Sequence, residues 1–129
     1  MSIIQINPAS TKGKKLLPPQ IDISSDFGIF SSSDTVDSDS QYYFISSPEI
    51  RGDLTIIAPY RFRVSLNGVN WFLSVPISHT SGHINSTQIF VKFTKGSEGT
   101  FVKNIVHYTK GNSVGIQVTG VCTKIIKIK

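Results

Sequence analysis

The pair Asn67-Gly68, standing between Leu66 and Val69, constrains this chain more than any other two residues. A type I′ turn needs φ above zero at both central positions, and Asn and Gly accept that conformation at the least steric cost. The preceding run, Phe62-Arg63-Val64-Ser65-Leu66, alternates apolar with polar residues. The pair therefore predicts a tight hairpin in which residues 62–66 meet residues 69–75, with Val64 and Leu66 on one face. Lys110-Gly111-Asn112 predicts a second hairpin, from Phe101 through Tyr108 into Val114-Gly115-Ile116-Gln117-Val118.

The rest of the chain repeats this grammar. Ile89, Val91 and Phe93 alternate with Gln88, Phe90 and Lys92, while Tyr42-Tyr43-Phe44-Ile45 and Leu54-Thr55-Ile56-Ile57 are short β-prone runs ended by Ser or Pro. Ile21-Asp22-Ile23-Ser24 alternates as an edge strand would, and a Ser- and Asp-rich loop is expected from Ser31 to Ser40. No helical period appears. At 129 residues the chain is the size of one domain. The reading is all-β: an immunoglobulin-like antiparallel β-sandwich of seven to eight strands over residues 20–129, with residues 1–19 as an extended N-terminal arm. The expected inward set is Ile56, Val64, Trp71, Val75, Ile89 and Val91, together with Phe93, Phe101, Ile105, Ile116 and Val118.

Hydrophobic residues make up 39% and charged residues 16%, too apolar and too weakly charged for a disordered chain. No apolar run is long enough to span a membrane, and the first residues lack the basic and apolar stretches of a signal peptide, so no membrane partner is expected. Cys122 stands alone, which excludes an internal disulfide. The net charge of +5 suggests an acidic partner, but its distribution is uneven. Lys12, Lys14 and Lys15 sit in an acid-free first segment, whereas Asp22, Asp26, Asp34, Asp37 and Asp39 sit in a base-free second one. From Arg61 onward the bases are spaced singly along strands. That spacing describes a solvated sheet face rather than a nucleic-acid footprint.

Candidate chemistry is sparse. His79 and His83 have zinc-site spacing only on a helix, and Thr80-Ser81-Gly82 between them breaks one. Asp34, Asp37 and Asp39 lack the D-x-D-x-D-G order of a calcium loop. Cys122 and His107 have no third group to orient them as nucleophile and base. Arg51-Gly52-Asp53 reads as a turn launching the next strand. Catalytic residues, a metal site and a cofactor are therefore not expected, and the chain reads as non-enzymatic. Surface aromatics that stack on sugar rings cannot be separated from core aromatics by sequence.

From about Ile45 onward the chain resembles a recurring immunoglobulin-like module of secreted Bacteroidetes proteins. The runs that carry the resemblance are residues 50–59, Phe62 to Trp71, Thr87 to Phe93, Gly99-Thr100-Phe101, Asn104 to His107 and Val118 to Val121. It departs at Phe101, where that module often has Tyr, so no tyrosine-corner hydrogen bond is implied there. The resemblance implies a spacer or binding unit without catalytic residues. Tailed phages build such sandwiches into virion surfaces, and a stand-alone copy is similar to an auxiliary capsid (decoration) or head-fibre protein of a crAss-like phage, assembled in the host cytoplasm. The partner is then the major capsid protein or another virion protein, with oligomerisation on the assembly left open. Ile3, Ile4, Ile6, Lys12, Lys14 and Lys15 are the expected partner-binding residues, in an arm disordered in isolation and ordered on the assembly; the alternative is that Ile3 to Ile6 pairs with a sheet edge of its own domain, beside the alternating Ile126-Lys127-Ile128-Lys129. Competing readings are an adhesion or glycan-binding repeat at a bacterial cell surface, an interaction domain with an unrelated partner, and a nucleic-acid binder acting through the arm.

Overall fold

Alternation of apolar and polar residues at period two lets each strand bury one face and wet the other, so pairs of sheets must close over a shared core. The computed structural model describes residues 19–126 and contains nine strands in that range: β1 (Gln20–Ser24), β2 (Phe30–Ser33), β3 (Gln41–Glu49), β4 (Leu54–Ile57), β5 (Phe62–Ser65), β6 (Ser74–Ile77), β7 (Ile84–Phe93), β8 (Gly99–Thr109) and β9 (Asn112–Thr123). They form a four-stranded sheet in the order β1-β3-β7-β5 and a five-stranded sheet in the order β2-β9-β8-β4-β6. All pairings are antiparallel except β2 with β9, which is parallel. The chain is an immunoglobulin-like β-sandwich, as the period-two runs require. One expected loop residue run is shorter than read: Ser31 to Ser33 belong to β2, because Phe30 buries its ring and Ser32 its hydroxyl against the core.

The core lies between the sheets. Ile45, Ile89 and Val91 of the four-stranded sheet and Ile56, Ile105 and Val118 of the five-stranded sheet are buried there. Phe30, Phe62 and Phe93 fill its middle, with the Phe30 and Phe62 rings edge-to-face at 5.6 Å and Phe62 against Phe93 at 4.9 Å. Gly120 on β9 makes this possible, since a Cβ there would come within 2.6 Å of the Phe93 ring. Phe101 and Ile116 are half-buried against the same cluster.

Trp71 is not in the core, and the hairpin that was to carry it does not form. Only Gly68 of the pair takes a positive φ, 76°, so the turn is not type I′. The Ser65 hydroxyl accepts the N–H groups of Asn67 and Gly68 at 3.2 and 2.9 Å, and the Asn67 side-chain oxygen accepts those of Val69 and Asn70. Side chains thus take the donors that a tight turn would have aligned with the opposite strand. β5 ends at Ser65, Leu66 is left exposed, and the chain returns to β5 only through a bridge between Val64 and Phe72. Leu73 then accepts the Ala58 N–H, and β6 joins β4 in the other sheet. The Lys110-Gly111 turn does close β8 onto β9, with Thr109 opposite Asn112 and Gly111 at φ 91°.

One polar contact crosses the core. The Tyr43 hydroxyl of β3 lies 2.6 Å from His107 Nε2 of β8, and His107 Nδ1 lies 3.0 Å from the Val114 carbonyl oxygen. A carbonyl can only accept, so Nδ1 carries the proton and Nε2 accepts from Tyr43. Burial holds the His107 pKa below its ordinary value of 6.5, opposed by the bond to Val114, and burial raises that of Tyr43.

Two predictions follow from this core. Val91→Ala or Ile105→Ala should each cost about 1 to 4 kcal/mol in denaturant melts, through lost burial and a residual cavity; a cost under about 0.5 kcal/mol at both would mean that these faces do not pack. His107 is harder to protonate folded than unfolded, so its contribution is complete above pH 6.5 and declines as pH falls through the range between the unfolded and folded pKa. The unfolding free energy from denaturant melts should fall from pH 7.5 to pH 5, with a limiting slope of about 1.4 kcal/mol per pH unit; a flat profile would contradict the buried neutral imidazole.

Candidate functional site

The arm residues Ile3, Ile4, Ile6, Lys12, Lys14 and Lys15 lie outside the described residues. The arm's root is described: Pro19 is buried, its carbonyl accepts the Asn112 side-chain N–H at 2.7 Å, and its ring sits beside Gly111. Pro19 therefore sits at the end of the sandwich that carries the β8–β9 turn. Thr123, where β9 ends, is about 36 Å away at 3.3 Å per strand residue.

The sequence-level candidates have structural employment. Asp37 accepts the Lys95 N–H at 2.8 Å and pairs with Lys92 at 2.9 Å, and Asp34 accepts the Ile125 N–H. Burial alone would raise the Asp37 pKa, but the Lys92 ammonium and the Lys95 N–H together hold it below its ordinary value. His79 Nδ1 accepts the Gly82 N–H within the turn, and His83 bonds Asn85. Cys122 is buried and donates to the Gly96 carbonyl at 3.4 Å. Its ladder partner is Gly99, while that of His107 is Val114, eight positions back along β9, so the two are about 26 Å apart. They cannot act as a pair.

Arg61 departs from the expectation that the later bases line a wet face. It is 8% exposed, at φ 74°, with its guanidinium 4.9 Å from the Phe93 ring and 4.8 Å from the Phe101 ring. It donates to the carbonyls of Thr94 and Ser97. Aromatic faces and carbonyls stand in for a carboxylate, and the φ above zero is the strain that this placement carries.

The outer face of the four-stranded sheet is where exposed aromatic surface gathers. Tyr42 and Phe44 of β3 are 55% and 38% exposed, 5.8 Å apart and edge-on, and Tyr42 faces Phe90 of β7 at 6.2 Å. The 66–71 loop lies beside them, with Gly68 against the Phe90 ring. Trp71 is half-buried under Lys92, whose ammonium stands 4.8 Å from the indole. Val69, Phe72 and Leu73 continue the band around the side of the sandwich at 73%, 51% and 61% exposure. A shallow depression of about 160 Å³ opens at the other end of the band, lined by Asp22, Ser24, Phe44, Ser46 and Ser86 among others. That volume is below the roughly 300 Å³ at which small-molecule sites begin. Sequence reasoning missed this band because it assigned Trp71 to the core and the loop to a hairpin.

No family model matches the chain, and no curated protein matches it. Among solved structures, the chain is similar to the ASH / PapD-like domain of human CEP192 (PapD-like domain 7), with a TM-score of 0.50 and 12% identity over 98% of this chain and 99% of that one. The likeness agrees with the immunoglobulin-like sandwich and speaks to fold alone.

Among the described residues no three His, Cys, Asp or Glu side chains gather as a metal site. Thermal unfolding should therefore be unchanged by a chelator. A clear drop in midpoint would instead identify a cation bound to the folded state, with the Asp34, Asp37 and Asp39 loop as its first place to look.

Proposed function

We propose that this chain is a non-enzymatic binding and structural module, an auxiliary (decoration) capsid or head-fibre protein of a tailed phage, held on the virion by its N-terminal arm. The observation that carries the reading is the partition of charge. Residues 19–126 hold eight Lys or Arg and eight Asp or Glu, so the sandwich is formally neutral. The whole +5 belongs to Lys12, Lys14 and Lys15 before it and Lys127 and Lys129 after it. A neutral body with cationic ends suits a module whose electrostatic attraction to an acidic protein surface is concentrated in its ends. Ile3, Ile4 and Ile6 add apolar contacts at the far tip of the arm.

Support also comes from the arm's root. Because Pro19 is packed and hydrogen-bonded, pull on the arm is delivered to the sandwich at a fixed point beside β9. The virion reading itself rests on the sequence resemblance described above. The test is deletion of residues 1–18, which leaves Pro19 in place. The truncated chain should keep its melting temperature within about 2 °C but lose incorporation when added to capsids that lack it. Normal incorporation of the truncated chain would overturn the arm as the anchor, and retained glycan or cell-surface binding by the sandwich alone would favour an adhesion module.

A further inference from the structure

From the aromatic band we infer a second contact surface, independent of the arm: a docking site for an acidic, apolar segment of a partner protein. Its charge centre is Arg63 on β5, which stands opposite Lys92 in the β5–β7 ladder. Lys92 is neutralised by Asp37 at 2.9 Å, whereas Arg63 has no carboxylate within ion-pair distance among the described residues. Its guanidinium donates from one nitrogen to the carbonyl of Phe62 at 2.8 Å. A guanidinium presents five donors in a planar fork suited to a carboxylate, so most of its capacity is without a protein partner among the described residues. Arg63 is thus a half-buried cation without a carboxylate partner, on the edge strand of the sheet face that carries Tyr42 and Phe44.

Arg63 shares its sheet face with a pre-organised aromatic cluster. Phe90 is diagonal to it on β7, Tyr42 lies across from Phe90 on β3, and Trp71 is pinned by Lys92. The adjoining loop is fixed by the Ser65 and Asn67 side-chain bonds, so little ordering remains to be done on binding. Trp, Tyr and Arg are the residues that carry most binding energy at protein interfaces. Charge complementarity selects the occupant: apolar side chains against Tyr42 and Phe90, with an Asp or Glu between them reaching Arg63. A basic segment is excluded by Arg63 itself.

Trp71 is the chain's one tryptophan, so its fluorescence reports on the band. The full chain would be titrated with the blocked pentapeptide Leu-Glu-Phe-Glu-Leu and with versions carrying Gln or Lys in place of Glu. The acidic peptide should shift Trp71 emission and bind roughly tenfold more tightly than the Gln version at low salt, and the Lys version should give no shift. Arg63→Gln should erase the preference for the acidic peptide without lowering the melting temperature, and Tyr42→Ala should weaken the acidic and Gln peptides alike. The inference is overturned if the three peptides titrate equally, if none shifts Trp71, if Arg63→Gln keeps the preference, or if cellohexaose shifts Trp71 where the peptides do not. Every variant keeps the arm, so failure here leaves the arm reading standing, and failure of the arm deletion leaves this one standing.

Discussion

The hydrogen bond from Tyr43 to His107 joins an inner strand of one sheet to an inner strand of the other through a mainly apolar core. Apolar packing is non-directional and would tolerate some sliding of one sheet over the other. A buried hydroxyl and imidazole tolerate none, since either left unpaired costs its full desolvation. The pair therefore fixes one relative placement of the sheets, and the Val114 carbonyl fixes the tautomer on which it depends. With a single Cys there is no disulfide to do this. Arg61 makes a second fixture, where the chain crosses from β4 to β5: its side chain ties that crossing to the β7–β8 loop and packs against the neighbouring rings of Phe93 and Phe101.

What was legible in the sequence was whatever depended on side-chain alternation. Ile89, Val91 and Phe93 could only be a buried stripe, and Lys110-Gly111 could only be a turn, because local pattern and tertiary environment ask for the same thing there. Asn67-Gly68 misled for a physical reason. The same Asn that tolerates a positive φ also has a side-chain oxygen, and here it spends that oxygen on Val69 and Asn70 while Ser65 captures Gly68. Turn propensity was real, but the turn closed on side chains instead of on the partner strand. Trp71 left the core as a consequence, and the band it belongs to was invisible to a reading that places large aromatics inside. Arg61 was illegible for the opposite reason, since nothing in a lone Arg near a Pro announces that two Phe rings from strands thirty or more residues away will pack against it. As to the site, sequence gave the composition of the arm but no geometry for it.

Charge and apolar surface are separated along the molecule. The formal charge outside residues 19–126 is all positive, while the sandwich between is neutral and carries a cluster of aromatic side chains on one face. Long-range attraction falls off over roughly 10 Å at 0.1 M salt, whereas aromatic contact acts only at touching distance. Under the two proposals above, such a module is drawn in by its ends and discriminates with its face. The two functions can be lost separately, because no ladder or core residue is shared between the Pro19 root and the Arg63 band.

The sheet edges decide which kinds of contact remain open. A free edge invites strand addition, and this sandwich blunts each of its four. β1 carries a register irregularity and the exposed Asp22; β6 has Pro76, which cannot donate; the outer side of β5 is bonded to Phe72 at Val64; and the Ser33 carbonyl of β2 accepts the Gly96 N–H. Another chain that approaches edge-on finds backbone groups already engaged, bent away or missing. Association is thereby diverted to the sheet faces and to the terminal segments. Of the faces, that of the four-stranded sheet joins an aromatic cluster to a guanidinium with no carboxylate partner among the described residues, which is why the proposed docking site relies on side-chain chemistry and not on backbone pairing.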